Sequence, residues 1–165
     1  MLVRRERASD VLTIAEIHRS AFKGEVETRL VSALRASDAW LPPLSLVAEV
    51  DGQVVGHVVC TRAHVGETPA LGLGPVGVDP AVQESGVGSA LMHAVLGAAD
   101  ALDEPVVVLL GHTDYYPRFG FEPATKFGIT PPVPEWADHF QARPLSTYDP
   151  TIRGPFAYAA PFNDL

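Results

Sequence analysis

Leu71-Gly72-Leu73-Gly74-Pro75-Val76-Gly77-Val78-Asp79-Pro80-Ala81-Val82-Gln83-Glu84-Ser85-Gly86-Val87-Gly88-Ser89 is the stretch on which the fold turns. Small and apolar residues alternate up to Val78, which predicts a strand; Asp79-Pro80 ends it, and Gln83 to Gly88 open a helix. The first amides of a helix have no partner within it, so a glycine-bearing loop that aims them at one point can cradle a phosphate. Taken alone, residues 83–88 read equally well as an ordinary glycine turn into a helix. Gly72 to Gly77 also match the G-x-G-x-x-G dinucleotide pattern, which would suit a nucleotide-dependent oxidoreductase. That pattern must follow a strand and open a helix, whereas these glycines lie inside the strand and Asp79-Pro80 follows them. Nor is this a P-loop, since no Lys follows Gly88.

Downstream, Val87, Ala90, Leu91, Ala94, Val95 and Ala98 predict one apolar helix face, and Glu104-Pro105 introduces Val106-Val107-Val108-Leu109-Leu110-Gly111, a strand covered on both faces. A strand, crossover helix and second strand lie parallel and right-handed, which puts the loop at Gln83 and the turn at Gly111-His112 on one sheet edge, where open α/β sheets gather ligands. Upstream, residues 44–50 and 53–65 are rich in Val and Leu and flank Asp51-Gly52, a tight antiparallel hairpin. Residues 2–6 predict a first strand, and Ser9 or Asp10 a cap for a helix reaching about Phe22. Val26, Leu30, Val31 and Leu34 mark a second helix, stopped between Ser37 and Pro42-Pro43. Short strands are expected near residues 140–146 and 156–160, and Tyr116-Pro117 interrupts any long helix between.

The chain has 165 residues, which suits one domain over 1–165; 47% are hydrophobic and 19% charged, a globular balance. No segment has the roughly 18 continuous apolar residues of a membrane span, and Ser9-Asp10 after Arg4, Arg5 and Arg7 do not continue as a signal peptide. Cytoplasm is the expected compartment. A net charge of -8 opposes nucleic-acid and anionic-membrane partners and favours a cationic or neutral one. Cys60 is the only cysteine, so no internal disulfide or multi-cysteine metal site is available, and the thiol reads as a small buried hydrophobe.

Gln83-Glu84-Ser85-Gly86-Val87-Gly88 resembles the coenzyme A pyrophosphate loop of the Gcn5-related N-acetyltransferase (GNAT) family, and Tyr116-Pro117-Arg118-Phe119-Gly120-Phe121 is similar to the Tyr-x-x-x-Gly-Phe element that closes its core. The longer string from Leu109 to Pro123, preceded by Gly72 to Val78, resembles the YhbS-like branch. The clear match covers residues 71–128. It implies an α/β fold of the GNAT type: a mixed, mostly antiparallel twisted sheet with one parallel pair and helices on both faces. It also implies acetyl-CoA as cosubstrate, no metal, and a primary amine on a small molecule or protein as acceptor. A homodimer is compatible with the family.

The resemblance further implies that Tyr116 donates a proton to the departing thiolate. The main chain at Val76, Gly77 and Val78 would bind the oxyanion and pantetheine. Gln83, Glu84, Ser85, Gly86, Val87, Gly88 and Ser89 would hold pyrophosphate. A base for the amine is sought among His112, Asp114, Glu49 and His57, with His112 first because it sits beside the strand end and titrates near neutrality. Phe22, Trp40 and Trp136 are the aromatic residues available to an acceptor pocket; each also suits plain core packing. Two departures stand out. Many relatives carry Gly then Lys or Arg where this chain has Glu84 and Ser85, so the loop has no cation; and Leu109 stands where an asparagine often binds pantetheine. The missing loop cation and the lack of a clear base leave a second function open, an acyl-CoA-binding or regulatory module without turnover.

Overall fold

The computed structural model describes residues 1–165. β1 (Leu2–Arg5), α1 (Val11–Phe22) and α2 (Val26–Arg35) precede three long strands, β2 (Trp40–Val50), β3 (Gln53–Val65) and β4 (Thr68–Val78). Then come α3 (Val87–Ala101), β5 (Val106–Leu110), β6 (Glu122–Pro123), β7 (Ile129–Thr130), β8 (Phe140–Pro144) and β9 (Gly154–Ala157). The sheet runs β1-β2-β3-β4-β5-β8-β6, antiparallel at every neighbouring pair but β4 with β5. β9 pairs with the end of β3 and carries β7 parallel to itself, a second parallel pair beyond the one expected.

The period-2 pattern of the long strands sends alternate residues to opposite layers. Leu46, Ala48, Val58 and Cys60 pack with Val87, Leu91 and Val95 of α3, while Val47 meets Ile14 of α1 and Val31 of α2 on the other face. Helices therefore cover both faces. At the hairpin, Asp51 and Gly52 take φ of 51° and 77°, the positive values a two-residue type I′ turn needs.

Three local expectations change. The buried stripe of α3 is Val87, Leu91, Met92, Val95, Leu96 and Ala99; Ala90, Ala94 and Ala98 are only half-buried, because the larger Met92 and Leu96 turn the apolar arc toward the sheet. Pro42-Pro43 do not precede β2 but lie inside it. The register with β3 breaks between Trp40 and Ser45, so neither proline interrupts a regular ladder. Asp10 does not cap α1 with its side chain. Its carboxylate accepts from the Arg7 amide at 2.7 Å and pairs with Arg4 at 2.8 Å, closing the 3-10 turn that leads into the helix.

The site is set by how β4 leaves β5. Their register holds only at Leu71 with Val107 and Gly72 with Val108. On the other side of β4 the pairing with β3 slips between Val58–Val76 and Cys60–Leu73, so Gly74 and Pro75 together oppose Val59. Such a bulge bends its strand. Gly74 sits at φ 141°, where a Cβ would be strained, and Pro75 has no amide to offer a neighbour. Beyond this point the two strands splay.

Candidate active site

On one side of the splay lies the loop after β4. Pro80–Val82 form a 3-10 turn capped by Asp79, whose carboxylate accepts from the Ala81 amide at 2.9 Å. Gln83 ties the loop back by donating to the Val78 carbonyl at 3.1 Å, and the Ser85 hydroxyl donates to the Val82 carbonyl. Glu84 and Gly86 take positive φ of 65° and 92°, turning the chain sharply into α3. No backbone amide of residues 83–89 donates within the chain; the first that does is Ala90, to the Gly86 carbonyl at 3.0 Å. Five of these residues, Gln83, Glu84, Gly86, Gly88 and Ser89, line a cavity of about 680 Å³ together with Val76 and Val78.

The cation missing from the loop arrives from another element. Arg118 lines the same cavity, with its guanidinium 4.6 Å from the Tyr115 ring centroid and its Nε donating to the Tyr115 carbonyl at 3.0 Å. In the sequence Arg118 is only a spacer within Tyr-x-x-x-Gly-Phe. The fold makes it a neighbour of a loop some thirty positions upstream.

Tyr116 opens the 3-10 turn Tyr116–Phe119 beyond the end of β5. Its ring meets Phe121 and Tyr115 edge-on at 6.0 and 5.0 Å and lies against Gly111, where any side chain would overlap it. The hydroxyl makes no hydrogen bond within the chain, and burial, with the Tyr115 phenol adding, pushes its pKa up to about 12. It is therefore a neutral donor at physiological pH. Tyr116 lines a cavity of about 250 Å³ with Phe22, Glu27, Val76 and Leu110. Val76 borders both this cavity and the one at the loop. A larger cavity of about 480 Å³, walled by Trp136, Tyr158 and Phe162, continues outward and shares Glu27, Leu73, Gly74, Pro75 and Leu110 with the smaller one.

Behind β4 lies a buried relay that the helical periodicity concealed, because His18 read simply as part of an apolar face. Gly77 opposes His57 in register, and the space left by its absent side chain is filled by the His18 imidazole: a Cβ on Gly77 would sit 2.7 Å from Nδ1. His18 Nε2 lies 2.8 Å from His57 Nδ1, His57 Nε2 lies 2.9 Å from Ser45 Oγ, and Ser45 Oγ donates to Glu6 at 2.5 Å. Burial raises the pKa of Glu6, but hydrogen bonds from His57, Arg35 and Ser45 outweigh it and hold the carboxyl at about 2. The protonation pattern follows. An ionised Glu6 only accepts, so Ser45 spends its hydrogen there and must accept from His57 Nε2–H. Burial keeps both histidines neutral, His18 at about 3, so His57 Nδ1 accepts from His18 Nε2–H. His18 Nδ1 is left as a bare lone pair, buried and without a partner, against Gly77.

Of the residues singled out from sequence, Val76, Val78, Gln83, Glu84, Gly86, Gly88, Ser89 and Tyr116 line the two cavities that share Val76, and Phe22 lines the Tyr116 side. Gly77, Ser85 and Val87 line none of these cavities, and the Val87 side chain is buried in the core. Trp136 walls the outer cavity. Trp40 lies away from these cavities, packed beside Ile14, Val31 and Leu34 with Arg35 stacked on its ring at 5.0 Å. His112 and Asp114 are exposed on the turn after β5, and neither lines these cavities. Glu49 pairs with Arg4 at 3.3 Å, and Cys60 is fully buried, its thiol pushed far above the ordinary range by burial and Glu104. No group of three or more His, Cys, Asp or Glu could hold a metal, and no helix is long and apolar enough to cross a membrane.

An open sheet split at one parallel pair, with free helix-terminal amides on one side of the split and a tyrosine-lined cavity on the other, defines the acyl-CoA acyltransferase class. Comparison with known proteins narrows this further. A family profile described as "Acetyltransferase (GNAT) domain" matches residues 3–124, and the chain belongs to this family. It is 35% identical over 161 residues to the uncharacterized N-acetyltransferase YjhQ of Escherichia coli K12, covering 93% of this chain and 89% of that one. The crystal structure of the E. coli GNAT family N-acetyltransferase YhbS in complex with CoA superposes with a TM-score of 0.91 at 30% identity, over 98% of this chain and 91% of that one. A GNAT family acetyltransferase from Brucella melitensis in complex with acetyl-CoA superposes with a TM-score of 0.81 at 34% identity, over 98% and 97%.

Proposed function

We propose that the chain transfers an acetyl group from acetyl-CoA to a primary amine by direct attack. The observation that carries this reading is Val76 standing between the loop cavity and the Tyr116 cavity, so that a thioester passing along β4 meets an amine from the other side. Complexes of related proteins with CoA and acetyl-CoA support the donor. The free amides of residues 83–89 hold the pyrophosphate, and Arg118 offsets the acid that Glu84 brings to the loop. Main chain from Val76 to Val78 binds pantetheine and the developing oxyanion. The neutral amine attacks the carbonyl carbon; the C–N bond forms, the C–S bond breaks, sulfur takes the proton of the Tyr116 hydroxyl, and the proton released by the acylated nitrogen returns to the Tyr116 oxygen, directly or through solvent. The high pKa of Tyr116 keeps that proton available.

Tyr116→Phe tests this. Thiol release from acetyl-CoA should fall by about 10²-fold or more, the usual worth of a positioned acid, while the melting shift with acetyl-CoA persists. Undiminished turnover in the variant would remove Tyr116 from the chemistry. Thermal stabilisation by acetyl-CoA with no thiol release for any amine would favour the binding module, to which the weakly charged loop also points.

A further inference from the structure

Glu27 is the only charged side chain lining either cavity on the acceptor side of β4, and it lines both. It sits in the first turn of α2, partly buried, with no hydrogen bond or ion pair to any other residue. Every other acidic group near α1 and α2 that faces inward has a partner: Asp10 has Arg4, and Glu6 has Arg35. Apart from the neutral amide of Asn163, the other side chains of the wall are apolar or aromatic. Trp136 meets Tyr158 edge-on at 6.5 Å, and Tyr158 stacks on Phe162 at 4.5 Å, so the outer cavity ends in a row of aromatic rings. No Lys, Arg or His lines either space.

We infer that the acceptor is a small primary monoamine carried on an aromatic or branched aliphatic body, and that Glu27 holds its ammonium beside Tyr116 while the body fills the Trp136–Tyr158–Phe162 wall. This rests on the transfer reading above. The charge pattern selects against the other classes. A free amino acid would bring a carboxylate into a space that has Glu27 and no cation. A polyamine or aminoglycoside would leave further ammonium groups against apolar walls with one carboxylate to share, and an unpaired buried charge is costly. A monoamine has one charge for one carboxylate, and its body is desolvated against rings. The combined space of the cavities matches what small ligands ordinarily occupy.

The test is kinetic and calorimetric on the full chain. Thiol release is followed with 2-phenylethylamine, isoamylamine, phenylalanine, spermidine and a lysine-bearing peptide, and binding of 2-phenylethylamine to the CoA-saturated protein is measured by calorimetry. The two monoamines should exceed phenylalanine and spermidine in kcat/KM by about tenfold or more, since a misplaced charge is rejected more strongly than a missing methylene. Glu27→Gln should raise KM for the monoamines about tenfold and weaken calorimetric binding to match, with the acetyl-CoA melting shift unchanged. A role for Glu27 confined to the first turn of α2 would lower the melting temperature without moving KM. Equal or better use of phenylalanine, spermidine or the peptide overturns the inference and leaves acetyl transfer standing. Calorimetric binding of the monoamine, lost in Glu27→Gln, without turnover upholds the site and overturns the transfer reading. Absence of monoamine binding overturns the inference outright.

Discussion

Gly77→Ala places a methyl group where the His18 ring now lies. The new Cβ would stand 2.7 Å from Nδ1 and 3.0 Å from Cε1, about 0.8 Å inside an ordinary contact of ~3.5 Å. Gly77 lies outside the left-handed region, so the conflict concerns space and not backbone. The ring cannot simply retreat. His18 is fully buried, stacked on Phe22 at 5.9 Å and hydrogen-bonded to His57 at 2.8 Å, and a comparable retreat would stretch that bond beyond hydrogen-bond length. Overpacking of this kind costs about 1–3 kcal/mol, which in a chain of this length lowers the melting temperature by about 2–4 °C per kcal/mol. The decisive assay is a double-mutant cycle by urea unfolding. In a His18→Ala background the methyl enters an empty space, and Gly77→Ala should be neutral or stabilising by about 0.4–1 kcal/mol through the unfolded chain. The coupling should therefore exceed about 1 kcal/mol. Additivity within about 0.5 kcal/mol would refute the reasoning, because it would mean that the two residues do not share that space.

Acid should destabilise the protein through the same histidine: with His18 at about 3 when folded and ~6.5 when unfolded, only the unfolded state binds the proton between these values. Its contribution is complete above about pH 6.5 and declines as pH falls toward 3, by at most roughly 4–5 kcal/mol. Glu6, held at about 2, adds a loss in the same direction below about pH 4.5. Urea midpoints at pH 7.5, 5.5 and 4 check this, and His18→Gln should flatten the upper part of the profile. Arg118→Ala should weaken acetyl-CoA binding by roughly 5- to 20-fold and reduce its salt dependence, as seen by calorimetry at two ionic strengths, because the exposed guanidinium is the positive charge at the loop cavity. Gly111→Ala should displace the Tyr116 ring and cut turnover by about tenfold or more while leaving the acetyl-CoA melting shift intact, which steady-state kinetics and a melting scan separate.

What could be read from sequence was local. Asp51-Gly52 announces a hairpin because only that chemistry tolerates two successive positive φ values, and Gln83 to Gly88 announce a tight glycine turn into a helix whose first amides stay free. The crossover rule then placed β5 parallel to β4. What could not be read depends on partners distant in the chain. His18 meets His57 across 39 positions and fits a gap whose only sequence trace is a glycine in a strand. Arg118 brings a positive charge to a cavity lined by a loop it does not belong to. Glu27 looks like any acid opening a helix until the C-terminal aromatic residues Tyr158 and Phe162 close around the same space. Pro42-Pro43 mislead because a broken register is invisible without the neighbouring strand.

The splay of β4 from β5 also bears on how the protein keeps to itself. Past Gly72 and Val108 the flank of β4 that faced β5 has no strand beside it, and a bare strand flank elsewhere in a protein invites another chain to pair. Here it opens inward. β5 still walls the gap, the bulge at Gly74 and Pro75 spoils the regular spacing that a guest strand would need, and Pro75 withdraws one donor. A polypeptide has no regular ladder to extend, whereas a slender, flexible chain carrying its own amides can lie along the same backbone. The splay that opens the gap therefore also discourages edge-to-edge aggregation.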